Sequence, residues 1–420
     1  MRKLFLGAVF VLIFPLPVLA EEISLTLKES LDLALRENRS ILLKAQEIKK
    51  AKEKIREAQG GFFPSVTASA TESQTWGYFD KNATQTAAQA GVKQYLYTGG
   101  QTLNTYQKNQ AEFQAAEASL EKTKADIILE VKKAFYALLL ANEFVQLNQK
   151  ILDNTQEHLN YSGVLYQNGR TDELALLQIQ EAFSSVEEAY QESIHQTEEL
   201  QSLLRSLLFI DEETRIKPDD AFLYDPEMLA YEEGVLRAME QRPEIREFDA
   251  LEKSDEQAIE IAKTGNRPTL YASWDYYARS HMSGTTSKNW NDHSVIGVTM
   301  TWPVFDGWAT KAKVEEAIID LKQTQLSREQ FLKDLAAELK GTYLELKNAI
   351  NQIKTAQANM AYYENYLTTT EEKYAKGLVS ALDLDDARVG QQVAAFNRSQ
   401  AIYNFIIADS KFKKATGGEQ

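Results

Sequence analysis

The 420-residue chain has no cysteine, 4 histidines, 8 prolines and 19 glycines. Without cysteine there is no disulfide framework, thiolate metal site, thiol nucleophile or lipidated N-terminal cysteine. His158, His195, His281 and His293 are scattered in sequence, and none falls in a metal-ligand or triad spacing. No cofactor or metal is therefore expected, and the chain does not read as an enzyme. Positive charge is short as well. The 61 acidic against 46 basic side chains leave a net charge of -15, which argues against a nucleic-acid partner because a polyphosphate needs a basic face. Long apolar runs are missing beyond the N-terminus. The longest clean one, Ala134 to Ala141, falls far short of the ~20 residues that a spanning helix takes.

What is present begins with an export signal. Arg2 and Lys3 precede an apolar stretch from Leu4 to Leu16, and Pro17-Val18-Leu19-Ala20 forms a small-residue cleavage site before Glu21. Residues 1–20 are expected to be a bacterial-type signal peptide, since the stretch is too short for a retained anchor. The remaining prolines, Pro64, Pro218, Pro226, Pro243, Pro268 and Pro303, bound two proline-free tracts rich in Ala, Leu, Glu, Gln and Lys, all helix formers. Within them, 101–168 and 308–376 each hold one glycine, Gly163 or Gly341, so each can be a single helix on the order of 100 Å long.

These tracts are copies of one another. Tyr97, Gly99, Phe135, Tyr166, Gly169, Leu174 and Leu176 recur 208 residues later as Phe305, Gly307, Tyr343, Tyr374, Gly377, Leu382 and Leu384. Upstream, Ala34, Ile41 and Pro64 recur 204 residues later as Ala238, Ile245 and Pro268. A constant offset over this span marks a duplication, with a four-residue insertion between Pro268 and Phe305. The expected organisation is a first repeat over 21–217, an acidic, proline-containing linker over 218–230, and a second repeat over 231–420. Heptad positions Val131, Leu138, Val145, Leu152, Leu159 and Tyr166 map onto Leu339, Leu346, Ile353, Met360, Leu367 and Tyr374, so a coiled-coil seam occurs twice.

Ahead of each long helix the hydrophobic period changes to two, which predicts strands near 63–78 and 88–97, and again near 268–278 and 294–305. Polar loops are expected at Trp76–Gln89, with Asp80 and Asn82, and at Ala278–Ser294, with Ser283-Gly284. Strands with one apolar face and aromatic ends match transmembrane barrel strands. Trp76, Tyr95, Tyr97, Trp274, Tyr276 and Trp302 are candidates for an interfacial girdle, the alternative being ordinary packing of a small sheet. Four strands cannot close a membrane barrel, and lipid tolerates no open edge, so insertion would require an oligomer.

In this arrangement the chain resembles the TolC-type outer-membrane efflux channels, from Leu25 to about Thr416. The resemblance is carried by the duplicated plan and by paired segments: Ala34-Leu35-Arg36-Glu37-Asn38-Arg39 with Ala238-Met239-Glu240-Gln241-Arg242-Pro243, Leu96-Tyr97-Thr98-Gly99-Gly100 with Val304-Phe305-Asp306-Gly307, and Tyr166-Gln167-Asn168-Gly169 with Tyr374-Ala375-Lys376-Gly377. It implies a mainly helical fold with membrane strands, which as a homotrimer makes a 12-stranded β-barrel in outer-membrane lipid continued by a 12-helix α-barrel through the periplasm. It also implies a passive exit duct that docks on a periplasmic adaptor protein and an inner-membrane transporter, and opens at its periplasmic helix tips. With no cysteine after the signal, the chain resembles the non-lipidated branch.

The resemblance places the tips and adaptor contacts at Tyr166, Gly169, Arg170, Tyr374, Gly377 and Arg388. It places a pore gate at Asp383 and Asp386, with Asp385 between them. Asp383 and Asp386 are one helical turn apart and can share a face. Three copies would then ring the axis with carboxylates, favouring cations. Signal and heptads alone also fit a periplasmic coiled-coil scaffold or adaptor without a pore; the two strand pairs favour the duct.

Overall fold

A computed structural model describes residues 22–78, 81–224, 229–282 and 289–418. In chain order these form β1 (Glu22–Leu25), α1 (Leu27–Glu37), α2 (Arg39–Gly60), β2 (Ser65–Tyr78), β3 (Lys81–Tyr97), α3 (Gln101–Gln167), α4 (Glu173–Leu208), β4 (Arg215–Pro218), α5 (Tyr231–Gln241), α6 (Pro243–Lys263), β5 (Thr269–Met282), β6 (Asn289–Thr301), α7 (Ala309–Ala375) and α8 (Ala381–Ala415). The architecture is helical with a strand pair inserted into each copy. The contacts divide it into two compact units. One takes residues up to Asn38, Glu130–Tyr224 and Asn351–Asn404; the other takes Arg39–Leu129, Asp225–Ile350 and residues from Phe405 onward.

In the first unit, Thr26 starts α1 with a capping box: its hydroxyl accepts the Glu29 N–H, and the Glu29 carboxylate accepts the Thr26 N–H at 2.9 Å. Asn38 then breaks the chain between α1 and α2 with ψ 125°. Its side-chain amide donates to the Leu207 carbonyl at 3.1 Å, capping the end of α4. An element absent from the sequence reading lies where the linker was expected to begin. β4 pairs parallel with β1, setting Ile23 against the fully buried Ile216. The Gln201 side chain holds that strand by both main-chain groups of Ile216, at 2.6 and 3.0 Å. Four residues ending in proline carry too little periodicity to announce a strand.

In the second unit, the break at Arg242 and Pro243 separates α5 from α6, proline at the first helical position being compatible with the start of a helix. Arg242 is buried here. Its guanidinium donates to Glu244 at 2.9 Å, to Glu338 at 3.0 Å and to the Lys414 carbonyl at 3.2 Å. The second copy thus caps its last helix as the first does, with arginine in place of asparagine.

The heptad seam is deepest at Val131, Leu138, Leu339, Leu346 and Ile353, which are buried. Val145, Leu152, Leu159, Met360 and Leu367 are half-buried, and Tyr166 and Tyr374 are exposed. Cover therefore falls away along each helix toward its turn.

The four long strands form one antiparallel sheet in the order β2-β3-β5-β6. Three of them are longer than expected, and β2 starts two residues later than expected, at Ser65. β3 starts at Lys81 rather than near 88, β5 runs on to Met282, and β6 occupies Asn289–Thr301 rather than 294–305. Thr84, Gln85, Thr86 and Gln89 are polar on both faces, so their alternation is invisible to a hydrophobic pattern, yet the ladder continues through pairs such as Thr86 with Ser280. The expected loops shrink accordingly; Asp80 and Ser283-Gly284 lie outside the described residues.

Candidate functional site

Register decides what each face of the sheet presents. Val66 faces Val92, which faces Trp274, which faces Ile296; Ala68, Ala90 and Tyr276 lie on the same side, as do Ala272 with Val298 and Leu270 with Met300. The opposite side carries Thr67, Lys93, Gln89, Asp275, Tyr277, Arg279 and His293. Gln89 donates to the Asp275 carboxylate at 3.3 Å, and the Tyr277 and His293 rings stack at 5.2 Å. Near the helical end of the strands one face is therefore apolar and exposed, with Ile296 82% and Val298 66% accessible, and the other is mainly polar; farther along, Glu72, Gln74, Thr86 and Ser280 make the first face polar too. Among the described residues β2 and β6 each pair on one side only.

The six girdle candidates are all exposed, but they do not share one face. Trp274 and Tyr276 stand on the apolar side, and Trp76 falls at an irregularity of the ladder between Thr75 and Tyr78. A register shift between Tyr95 and Tyr97 puts Tyr97 opposite Leu270, on the apolar side. Tyr95 stays on the polar side against Tyr271, with the Lys93 ammonium 4.6 Å from its ring and 3.9 Å from that of Tyr271. Trp302 donates its indole N–H to the Asn266 carbonyl at 3.1 Å, fixing it at the foot of β6.

The helix turns repeat the same two closing bonds. Gly169 N–H donates to Tyr166 and Arg170 N–H to Leu165, both at 2.9 Å; Gly377 N–H donates to Tyr374 at 2.8 Å and Leu378 N–H to Lys373 at 2.9 Å. This is a Schellman closure, which needs a left-handed residue; Gly169 has φ +66° and Gly377 +69°. A Cβ on either glycine would meet no neighbour, so backbone angle rather than space selects the residue.

The three acids beyond the second turn do different things. Asp383 closes a capping box on α8: its carboxylate accepts both the hydroxyl and the N–H of Ser380 at 2.7 Å, and those bonds hold its carboxyl below the usual aspartate range. Asp386 lies 2.9 Å from His158 Nε2, linking α8 to α3. Asp385 pairs with Arg388 at 3.1 Å on its own helix. Glu157, beside His158, shares a hydrogen bond with Asp385, which pushes the Glu157 carboxyl up. Arg170 is exposed, and its main chain closes the first turn. Neither Glu157 nor His158 stands in a motif that marks it in the sequence. The clue lay in counting: His158 and Asp386 both fall within about three helical turns of the tip glycines.

Glu157 and Asp385 can bond only while one of them keeps a proton. A carboxyl with a raised folded pKa stabilises the contact below the ordinary glutamate value of 4.5 and loses that contribution as pH rises through the raised value. At neutral pH the two carboxylates repel. Glu157→Gln is therefore expected to slow amide exchange at the ends of α3 and α8 at pH 7 and to leave it nearly unchanged at pH 4. Equal exchange in both proteins at pH 7 would remove the pair from tip energetics.

Among the described residues no group of three or more histidines and acids could hold a metal, and no helix is long and apolar enough to cross a membrane. Residues 30–208 and 235–418 match the family model for outer membrane efflux proteins. No curated protein matches the chain. Among solved structures, it resembles the Campylobacter jejuni CmeC outer membrane channel with a TM-score of 0.76 at 19% identity, covering 93% of this chain and 85% of that one. It resembles the open state of the Neisseria gonorrhoeae MtrE outer membrane channel at 0.75 and 17%, covering 93% and 89%. For the Vibrio cholerae outer membrane protein VceC the values are 0.74 and 17%, covering 93% and 96%.

Proposed function

The chain belongs to the outer membrane efflux protein family, and from that membership we propose that it works as a passive homotrimeric exit duct, docked through its helix tips on a periplasmic adaptor and an inner-membrane transporter. The observation that carries this reading is the sheet, apolar on one face near its helical end, polar on the other and, among the described residues, bare at both edges. Three such sheets close a 12-stranded barrel, an even number above the minimum of eight, with the apolar face in outer-membrane lipid and Lys93, Asp275 and Arg279 lining the lumen. The falling cover along the seam supports the same reading, because the distal turns of α3 and α7 need helices from other copies to bury them. Its work is conduction, and selectivity for cargo is assigned to the transporter.

We place the gate at the acids after the second turn. Asp383→Asn with Asp386→Asn removes the charge while keeping hydrogen-bond acceptors for Ser380 and His158. In planar bilayers the purified protein should conduct, with block by trivalent cations from the periplasmic side weakened roughly tenfold or more in the double variant. Unchanged block would move the gate elsewhere. A detergent-free soluble protein without conductance would end the duct reading.

A further inference from the structure

The duplication extends into the sheet and leaves one contact without its mate. Passing from the first copy to the second adds 204 to β2 and 208 to β3, and the hairpins obey both shifts: Ser65 faces Lys93, and Thr269 faces Thr301. The bonds at the foot of each hairpin agree. Gln94 donates to the Phe62 carbonyl at 3.3 Å, and Trp302, its counterpart, donates to the carbonyl of Asn266, the counterpart of Phe62.

A further contact joins the two copies. Arg267 lies against the Gly99-Gly100 turn, donating to the Gly99 carbonyl at 2.9 Å and approaching so closely that a Cβ on Gly99 would sit 2.8 Å from its own. The same shifts carry this turn onto Gly307-Trp308 and carry Arg267 back onto Phe63. Among the described residues that equivalent contact is not made. A Cβ on Gly307 would meet nothing within 4 Å, and Phe63, Phe305 and Trp308 are 69%, 71% and 69% exposed. Gly307 nevertheless keeps φ +67°, the angle of Gly99. Trp308 holds φ +71° where the first copy has Gly100, a conformation that a bulky L residue adopts only under strain.

We propose that a second copy of this chain supplies the mate: the edge-on pair Phe305–Trp308, 5.8 Å apart, receives Phe63 of the neighbouring copy, and β6 pairs with that copy's β2 in the register that sets Met300 opposite Ala70. The register is the β3–β5 pairing of Val92 with Trp274, moved by the two shifts. It also sets Ile296 opposite Gln74, by the pairing of Ala88 with Ala278. It puts Met300 and Ala70 on one face, with Val298 and Ile296 reaching Glu72 and Gln74 farther along, whereas a one-residue slip would lay Met300 against the threonine and serine face of β2. The contact changes character on the way. Phe63 has no donor for the Gly307 carbonyl, and the ring of Trp308 stands where Gly100 has no side chain, so a hydrogen bond inside the chain becomes an aromatic contact between chains. The inference rests on the oligomeric channel of the preceding section.

The absence of native cysteine gives a clean background for the test. In outer membranes carrying the full-length protein, Met300→Cys with Ala70→Cys should give disulfide-linked dimers and trimers at least tenfold more strongly than Met300→Cys with Ala68→Cys or with Glu72→Cys. Phe63→Ala and Trp308→Ala should each lower the temperature at which the detergent-solubilised particle dissociates, and the double variant should fall no further than the worse single one, because both remove the same contact. A particle that is trimeric by mass but crosslinks best in another register overturns the register and leaves the channel standing. So does quenching of Trp308 fluorescence by brominated lipid acyl chains, which would put that ring in the bilayer. A monomeric particle overturns both.

Discussion

Arg242→Ala should destabilise the protein by about 3–5 kcal/mol, the range for removing one partner of a buried ion pair. Arg242 and Glu244 are both under a tenth exposed, and the guanidinium is the group that holds Glu244. Without it that carboxylate stays buried and uncompensated, and the Lys414 carbonyl at the end of α8 loses its cap. Glu338 is more accessible and can turn to water. The first copy replaces the buried ion pair: Asn38 stands for Arg242, Ser40 stands for Glu244, and the amide of Asn38 caps the Leu207 carbonyl. Transplanting that solution, Arg242→Asn with Glu244→Ser, should therefore lose far less, about 1–2 kcal/mol, since no ion is left stranded. Denaturant midpoints followed by helical circular dichroism in detergent would rank the variants. If the double variant melts as early as Arg242→Ala, stranded charge is not the cause.

Leu138→Ala is the second large effect, at about 2–5 kcal/mol. Leu138 has no accessible surface, so truncation removes apolar burial and leaves a void that the packed helix can only partly close. The companion substitution Leu138→Met conserves volume and should cost less than about 1.5 kcal/mol. The gap between the two isolates packing from polarity. Equal losses would mean that side-chain shape rather than volume governs the position.

Much of this architecture could be read from residue placement. Proline cannot continue a helix, so its absence between Gly100 and Gln167 and between Trp308 and Ala375 allowed two uninterrupted helices, and the repeated glycines of the turns announced a left-handed backbone. The illegible parts share a physical reason, in that their partners are polar or far away in sequence. The upper halves of the strands are polar on both sides and so carry no hydrophobic period. β4 exists because Gln201 reads the main chain of Ile216, an arrangement with no local signature. His158 is one of four scattered histidines with no motif of its own, and its partner Asp386 lies 228 residues away. Tyr95 and Tyr97 differ by two positions and ought to share a face. A single irregularity in the ladder separates them, and no composition foretells it.

The two bare edges of the sheet also fix an order of events during biogenesis. A strand edge carries a row of unsatisfied main-chain groups that hydrocarbon does not accept and that other strands readily join. A lone copy released into the periplasm therefore has no stable way into the bilayer. It also presents β2 and β6 as templates for unwanted pairing for as long as it waits. In the proposed trimeric duct, meeting its partners has to precede, or coincide with, crossing the lipid, and the rate of that encounter, which depends on concentration, sets how long the chain needs protection.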